Sequence, residues 1–232
     1  MRTKKTLLSW SSGKDSAWTL HALRQRSDVE VVGLMTTVNR VYQRISIHSV
    51  RLDLLQRQAK AVGLPLYQIG LPHPCSNADY EAAMETFIRR ARKEGIESMA
   101  FGDLFLADIR AYREARLGGT GITPLFPIWQ TPTDELAKQM TESGLRAVIT
   151  CVDPQQLPAG FAGREFNQQF LADLPTGVDP CGERGEFHTF AFAGPMFRNA
   201  IDIEVGEICE REGFVYADVL PTGAANTKTA VN

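Results

Sequence analysis

The chain has 232 residues, of which 44% are hydrophobic and 22% are charged, and its formal net charge is −2. A chain of this length holds one large domain or a medium domain with a small one, and its apolar content suffices for a buried core. The small negative charge gives no overall basic field, which disfavours nucleic acid as a partner. The chain has no apolar run of about 18 residues and only a short one near its N-terminus, so we expect no membrane segment and a cytoplasmic location.

The first half of the sequence alternates between short apolar runs and segments with helical periodicity. In chain order we predict a strand at 6–10, a helix at 16–26, a strand at 29–37, a helix at 49–62, a strand at 66–69, a helix at 78–94 capped by Asn77 or Asp79, a strand at 98–101 and a helix at 106–117. This alternation predicts an α/β fold, a Rossmann-like (HUP-type) mostly parallel sheet with helices on both faces.

The alternation of apolar runs and helical segments stops after residue 121, where Pro124, Pro127 and Pro132 fall close together. Beyond them we predict a helix at 133–143 capped by Thr133, a strand at 145–152, a helix at 164–173, and strands at 189–192 and 200–205. We therefore divide the chain into a nucleotide-binding domain (1–121), a smaller α+β C-terminal domain (122–220) and a disordered tail (221–232).

The four cysteines are Cys75, Cys151, Cys181 and Cys209. None stands in a C-x-x-C pair, so the spacing indicates neither a zinc site nor a redox pair, and we expect reduced thiols.

Between the first strand and the first helix lies the loop SSGKDS, residues 11–16. Ligands of open parallel sheets lie at the carboxyl ends of the strands, and the N-terminus of a helix attracts anions. Serine hydroxyls can donate to phosphate oxygens, Lys14 supplies a positive charge, and Asp15 suits Mg²⁺ or the shaping of the loop. The loop therefore predicts a phosphate site, although a helix N-cap rich in Ser and Asp has the same composition.

Two common phosphate loops are excluded. A Walker A loop requires G-x-x-x-x-G-K-[ST], but Leu8 stands at its first glycine and Asp15 at its last position. The dinucleotide fingerprint G-x-G-x-x-G is also absent after this strand.

A second polar segment, DPCGERGEFHTF, covers residues 179–190. Its spacing allows Glu183, Glu186 and His188 to converge on one ligand, with Gly182 and Gly185 permitting tight turns. From spacing alone, a solvated acidic turn with His188 packed under the sheet is an equal alternative.

Residues 11–16 resemble the S-G-G-x-D-S loop of the N-type ATP pyrophosphatases (PP-loop enzymes, adenine nucleotide alpha hydrolases), with Ser12 in place of the usual second glycine. A serine fits there where φ is negative. GERGEFHTF and FGDLFLADIRAYREARLGGTGITPLFPIW (101–129) are similar to segments of the diphthine–ammonia ligase group of that superfamily. The resemblance covers about residues 5–205.

The resemblance implies an ATP-dependent ligase that adenylates a carboxylate, releases PPi and transfers ammonia, with ATP and Mg²⁺ as cofactors. We assign the nucleotide to these positions: Ser11, Ser12, Gly13, Lys14, Asp15, Ser16, Met35, Thr36, Thr37, His48, Gly102 and Asp103. Mg²⁺ is assigned to Asp15 and Asp103, and the catalytic set is Asp15, Glu183, Glu186 and His188.

Several roles stay open from the sequence. His48 could reach the nucleotide or cap the second helix, and Asp103 could bind Mg²⁺, bind the acceptor or form a strand-end turn. A solvated helix face is the favoured interpretation of Arg110 and Arg113, with phosphate binding as the alternative. The acceptor is a carboxylate on a protein or a small molecule, and a homodimer is left open. The rival functions are a sulfur-transfer enzyme acting on tRNA, which Cys181 weakly favours, and a non-catalytic ATP-binding regulator.

Overall fold

The computed structural model describes residues 2–39, 44–45 and 50–222 of the chain. The first sheet contains β1 (Lys4–Ser9), β2 (Val29–Asn39), β3 (Arg44–Ile45), β4 (Leu66–Leu71), β5 (Ser98–Ala100) and β6 (Thr123–Leu125). The second contains β7 (Arg146–Val152), β8 (Glu165–Phe166), β9 (Phe187–Ala193), β10 (Ile203–Arg211) and β11 (Phe214–Pro221). The α-helices are α1 (Lys14–Arg24), α2 (Leu52–Val62), α3 (Asn77–Lys93), α4 (Ala107–Leu117), α5 (Thr133–Glu142) and α6 (Gln168–Asp173).

The first sheet confirms the predicted α/β class. Its parallel strands lie in the order β4-β2-β1-β5-β6, and β3 pairs antiparallel with β2. The chain runs outward from β1 through β2 to β4 and then returns to the other side of β1 with β5 and β6. The strand order therefore reverses between β1 and β5, which is where ligands bind in doubly wound sheets.

Helices cover both faces of this sheet because successive side chains of a strand point to opposite sides. Leu8 belongs to a buried cluster that includes side chains of α1, α2 and α5, whereas Leu7 belongs to a second cluster with side chains of α3. The larger cluster also contains Phe187 and Phe190 of β9. The two sheets are thus joined by one continuous core on the α1 and α2 side.

The second sheet is antiparallel throughout, with β7 at its centre. The predicted strand at 200–205 is β10, which instead runs from Ile203 to Arg211, and the sequence analysis did not predict its hairpin partner β11. Pro221, assigned to the tail, ends β11, and residues 223–232 lie outside the described residues.

Some local predictions were wrong in detail. The α3 helix is capped by Ser76, which forms a capping box with Asp79, and not by Asn77 or Asp79. The N-cap of α5 is Pro132, because the Thr133 hydroxyl instead donates to Asp179 at 2.8 Å. The predicted helix at 164–173 is shorter, since β8 and its flanking Asn167 cap precede α6.

The proline-rich stretch contains a strand. Pro124 lies within β6, which pairs only with β5 at the edge of the first sheet, where a missing N–H is tolerated. This strand belongs to the first sheet although it lies just beyond residue 121. The division of the chain at residue 121 stays a prediction. Across the described ranges, no helix combines the length and the apolar character that crossing a membrane requires.

Candidate active site

A polar cavity of about 220 Å³ lies at the point where the strand order reverses. Ser9 at the end of β1 and the Gly102–Asp103 pair after β5 form part of its wall. The rest is formed by Ser11 and the first turn of α1, by the segment 181–189 and by Arg113 of α4. The two polar segments that the sequence singled out therefore face the same space.

The SSGKDS loop enters α1 without a side-chain cap from its N-cap residue, Gly13. The Thr189 hydroxyl of β9 instead accepts from the Lys14 N–H at 3.0 Å. The Ser16 hydroxyl donates to the Gly13 carbonyl at 2.9 Å and lies 3.2 Å from the Ser11 hydroxyl. Both hydroxyls line the cavity beside the helix N-terminus, an arrangement suited to an anion.

The second sheet holds this loop in place through a buried glutamine. Gln58 donates to the carbonyls of Ser12 and Ala191 at 2.9 and 2.6 Å and accepts from the Trp10 indole at 2.8 Å. A Cβ at Gly13 would lie 3.2 Å from two Thr189 oxygens, so the loop approaches β9 closely. The sequence analysis missed Gln58, although its position on the apolar face of α2 was a usable signal.

Lys14 and Asp15 form an ion pair at the base of the cavity. The Lys14 ammonium lies 3.0 and 2.9 Å from the two Asp15 oxygens, and it also donates to the Cys181 carbonyl. The Lys14 side chain is 2% exposed and that of Asp15 is 26% exposed. Burial opposes the Lys14 charge, but Asp15, Cys181 and Glu183 outweigh it and raise the pKa of Lys14 above its usual value. Burial raises the pKa of Asp15, and Lys14 opposes that shift.

Ser12 does not line the cavity. It is fully buried, its hydroxyl has no hydrogen-bond partner among the described residues, and its φ is 71°, not the negative value at which a serine is unstrained. The left-handed conformation is disfavoured for residues with a Cβ, which explains why glycine suits this position.

We expect Ser12→Gly to raise the free energy of unfolding by about 1–2 kcal/mol, because it removes left-handed strain and a buried unsatisfied hydroxyl. Urea denaturation measures the change. Glu212→Gly is the matched control, since Glu212 is exposed with a φ of 53° and carries only the strain. Equal gains in the two variants would mean that the Ser12 hydroxyl is not a destabilising group.

Asp179 and Glu186 organise the segment before β9. Glu186 is 2% exposed, and its two oxygens accept from the N–H groups of Asp179 at 2.9 Å and Arg184 at 3.0 Å. Asp179 in turn accepts from the N–H groups of Cys181 and Glu183. Glu186 does not line the cavity, so its contacts are those of a positioning residue and differ from the catalytic role assigned to it. Asp179 was missed, although it opens the quoted motif.

Glu183 and His188 both line the cavity. Burial raises the pKa of Glu183 to about 7, and the hydrogen bond from the Leu104 N–H at 2.9 Å only partly opposes it. Burial and the charge of Lys14 lower the pKa of His188 to about 4. At neutral pH the cavity therefore contains a carboxyl group near its titration midpoint and a neutral imidazole.

Arg113 of α4 forms an ion pair with Asp103 in the cavity wall. Its Nε and Nη2 donate to the two carboxylate oxygens at 2.6 and 3.0 Å, and its guanidinium lies 4.4 Å from the centre of the Phe101 ring. Arg113 lines the cavity, which corrects the solvated-face interpretation for this residue. Arg110 does not line it and pairs with Glu114.

Three more of the assigned residues lie within a strand. Met35, Thr36 and Thr37 are inside β2, which continues to Asn39, and they do not line the cavity. His48 lies outside the described residues. The assignments of all four to the nucleotide stay predictions.

The described residues of the cavity do not supply a complete set of metal ligands. Within residues 2–39, 44–45 and 50–222, no group of three His, Cys, Asp or Glu side chains could hold a metal ion. Asp15 and Asp103, the two predicted Mg²⁺ ligands, each accept two hydrogen bonds from a cationic side chain.

The fold and the cavity together define a doubly wound α/β protein with a polar cavity at its strand-order reversal, the place where such sheets bind ligands. The chain matches the diphthamide synthase N-terminal domain over residues 4–116 and the diphthamide synthase C-terminal domain over residues 132–219. It therefore belongs to the diphthamide synthase family.

Curated relatives carry the name diphthine–ammonia ligase. Those of Bos taurus and Homo sapiens are each 27% identical over 195 residues, which is 77% of this chain and 71% of theirs. The relative from Schizosaccharomyces pombe is 26% identical over 177 residues, covering 70% of this chain and 29% of that longer protein.

Proposed function

We propose that this protein is an ATP-dependent ligase that adenylates a carboxylate, releases PPi and forms an amide with ammonia. The observation that carries this proposal is the joining of the SSGKDS loop and the GERGEFHT segment in one cavity at the strand-order reversal. The names of the relatives support ammonia as a substrate and diphthine as a candidate acceptor.

The phosphate end of ATP is placed at the first turn of α1. The Ser11 and Ser16 hydroxyls and the helix N-terminus supply donors, and the Lys14 charge stabilises the departing PPi. Gly102 gives the nucleotide a wall without a side chain between β1 and β5. In this role Ser12 and Gly13 shape the loop: the Ser12 side chain lies outside the cavity lining, and Gly13 has no side chain.

The carboxylates of Asp15 and Asp103 could bind Mg²⁺ only if the phosphates of a bound nucleotide supplied further ligands. Mg²⁺ is commonly held by one or two carboxylates plus substrate phosphates, so a cage of protein ligands is not required. When bound, the ion would neutralise charge developing on the phosphates.

The proposed reaction proceeds in two steps. In the first, a carboxylate oxygen attacks the α-phosphorus, the bond to the β-phosphate oxygen breaks, and PPi leaves. In the second, the lone pair of ammonia attacks the acyl carbon, AMP leaves, and the attacking nitrogen loses a proton. Glu183 is the proton acceptor for this second step, because its pKa of about 7 suits transfer near neutral pH. His188, as a neutral imidazole, orients the reacting groups through hydrogen bonds.

Sulfur transfer is less well supported by the site. Burial raises the pKa of the Cys181 thiol well above its usual value, so the thiolate that such chemistry needs is disfavoured. The Cys181 Sγ faces the Thr133 carbonyl at 3.4 Å, a structural contact.

The test is to incubate the protein with ATP, Mg²⁺ and ammonium, with or without a diphthine-bearing protein or a panel of small carboxylates. We expect AMP and PPi in equal amounts, together with an amide product, only when an acceptor is present. Release of ADP, or a nucleotide that stays intact with every acceptor, would contradict the proposal and favour a different enzyme or a regulator. A Lys14→Met variant, which should form no AMP, controls for contaminating enzymes.

A further inference from the structure

We propose that Arg113 binds the carboxylate of the acceptor, and that the Asp103 carboxylate occupies this binding position until the acceptor binds. The inference deepens the proposed function and rests on it for the identity of the ligand as an acceptor. Arg113 was not among the site residues assigned from the sequence.

The geometry of the pair is that of carboxylate recognition. Two N–H groups of Arg113 meet the two oxygens of Asp103 at 2.6 and 3.0 Å, which is the bidentate fork in which arginine binds a planar carboxylate. The Phe101 ring, with its centre 4.4 Å from the guanidinium, supports the guanidinium plane and limits its rotation. The receptor is therefore already shaped for its ligand.

The pair is also able to exchange partners. The Arg113 side chain is 27% exposed and that of Asp103 is 13% exposed, and both line the cavity. A second carboxylate that enters the fork replaces the charge and both hydrogen bonds of Asp103, so the exchange requires little free energy. The Lys14 ammonium, at 2% exposure, is less accessible to an exchanging carboxylate.

The position favours the acceptor over the phosphates of ATP. Arg113 comes from α4, which follows β5, whereas the proposed phosphate seat is the first turn of α1 after β1. The two sites thus lie on opposite sides of the strand-order reversal and line one cavity. A carboxylate held by Arg113 would face the nucleotide across this space, and one of its oxygens would leave the fork to attack the α-phosphorus.

The binding test uses sodium acetate and inorganic pyrophosphate as probes, followed through the backbone N–H signal of Gly102, which lines the same cavity, in NMR spectra of the intact protein. We expect Asp103→Asn to tighten acetate binding about tenfold, since it removes the internal competitor, and Arg113→Gln to abolish it. Arg110→Gln, on the same helix but outside the cavity, should bind acetate like the wild type. Tighter binding of pyrophosphate without acetate in Asp103→Asn, or no change for either probe, would overturn the proposal.

A kinetic test separates this inference from the proposed function. With a diphthine-bearing protein as acceptor, Arg113→Lys should raise the KM for that protein about tenfold and leave the Kd of ATP unchanged, because lysine cannot reproduce the fork. A raised Kd of ATP with an unchanged acceptor KM would make Arg113 a phosphate ligand and overturn the inference. If acetate binding follows the expected pattern but the protein forms no AMP, the result contradicts the proposed function and leaves the carboxylate site at Arg113 supported.

Discussion

Replacing Asp15 with alanine is expected to abolish ATP-dependent AMP formation and to lower the free energy of unfolding by about 3 kcal/mol. Both oxygens of Asp15 accept from the Lys14 ammonium, and the Lys14 side chain is only 2% exposed. Removing the carboxylate leaves a buried charge without its main counter-charge. The loop that is proposed to hold the phosphates is then destabilised together with the fold, so a loss of activity alone is not the expected result.

A double variant separates the two effects. Lys14→Met with Asp15→Ala removes both charges, and we expect it to recover most of the lost stability but none of the AMP formation. Asp28→Ala is the matched control, because its pair with Arg26 is exposed and should contribute little to stability. Urea denaturation and nucleotide chromatography provide the two measurements. Wild-type stability in Asp15→Ala would mean that Lys14 does not depend on this partner.

The first sheet could be predicted because its signals are local. Parallel strands buried on both faces appear as continuous apolar runs, and Gly63, with a φ of 72°, ends α2 as the sequence indicated. The position of the SSGKDS loop at the carboxyl end of β1 follows from this alternation, whereas the strand order does not. The second sheet was predicted less completely. β10 has no buried residue, so its apolar signal is weak, whereas the alternating burial of β11 was a usable signal that was missed.

The candidate site could be predicted as a set of segments, but not as individual contacts. Glu186 and Glu183 look equivalent in the sequence, yet one holds the backbone of its own segment and the other faces the cavity. Arg113 looks like any charged residue of an exposed helix until Asp103 is placed opposite it by the end of β5. Such roles depend on the direction in which each side chain points once its loop or helix is folded, which residue spacing does not encode.

Replacing Glu183 with glutamine is expected to lower the rate of amide formation about a hundredfold while ATP binding is unchanged. Glutamine keeps the oxygen that accepts from the Leu104 N–H but cannot take a proton from the attacking nitrogen. In the wild type, at a constant concentration of free ammonia, the rate should rise as the pH increases through about 7, where Glu183 loses its proton. The variant should lack this rise, and Glu207→Gln, on the distant strand β10, should retain it.

Stability gives a second measurement that does not depend on the acceptor. The pKa of Glu183 is about 7 in the folded protein, above its ordinary value of 4.5, so the folded state holds this proton more tightly than the unfolded chain does. The resulting contribution to stability is fully present below pH 4.5 and is lost as the pH rises through about 7. Glutamine does not titrate, and the melting temperature of Glu183→Gln relative to the wild type should therefore increase from pH 5 to pH 8. A difference that stays constant over this range would show that Glu183 is already ionised at pH 5, and it would then be too weak a base for the second step.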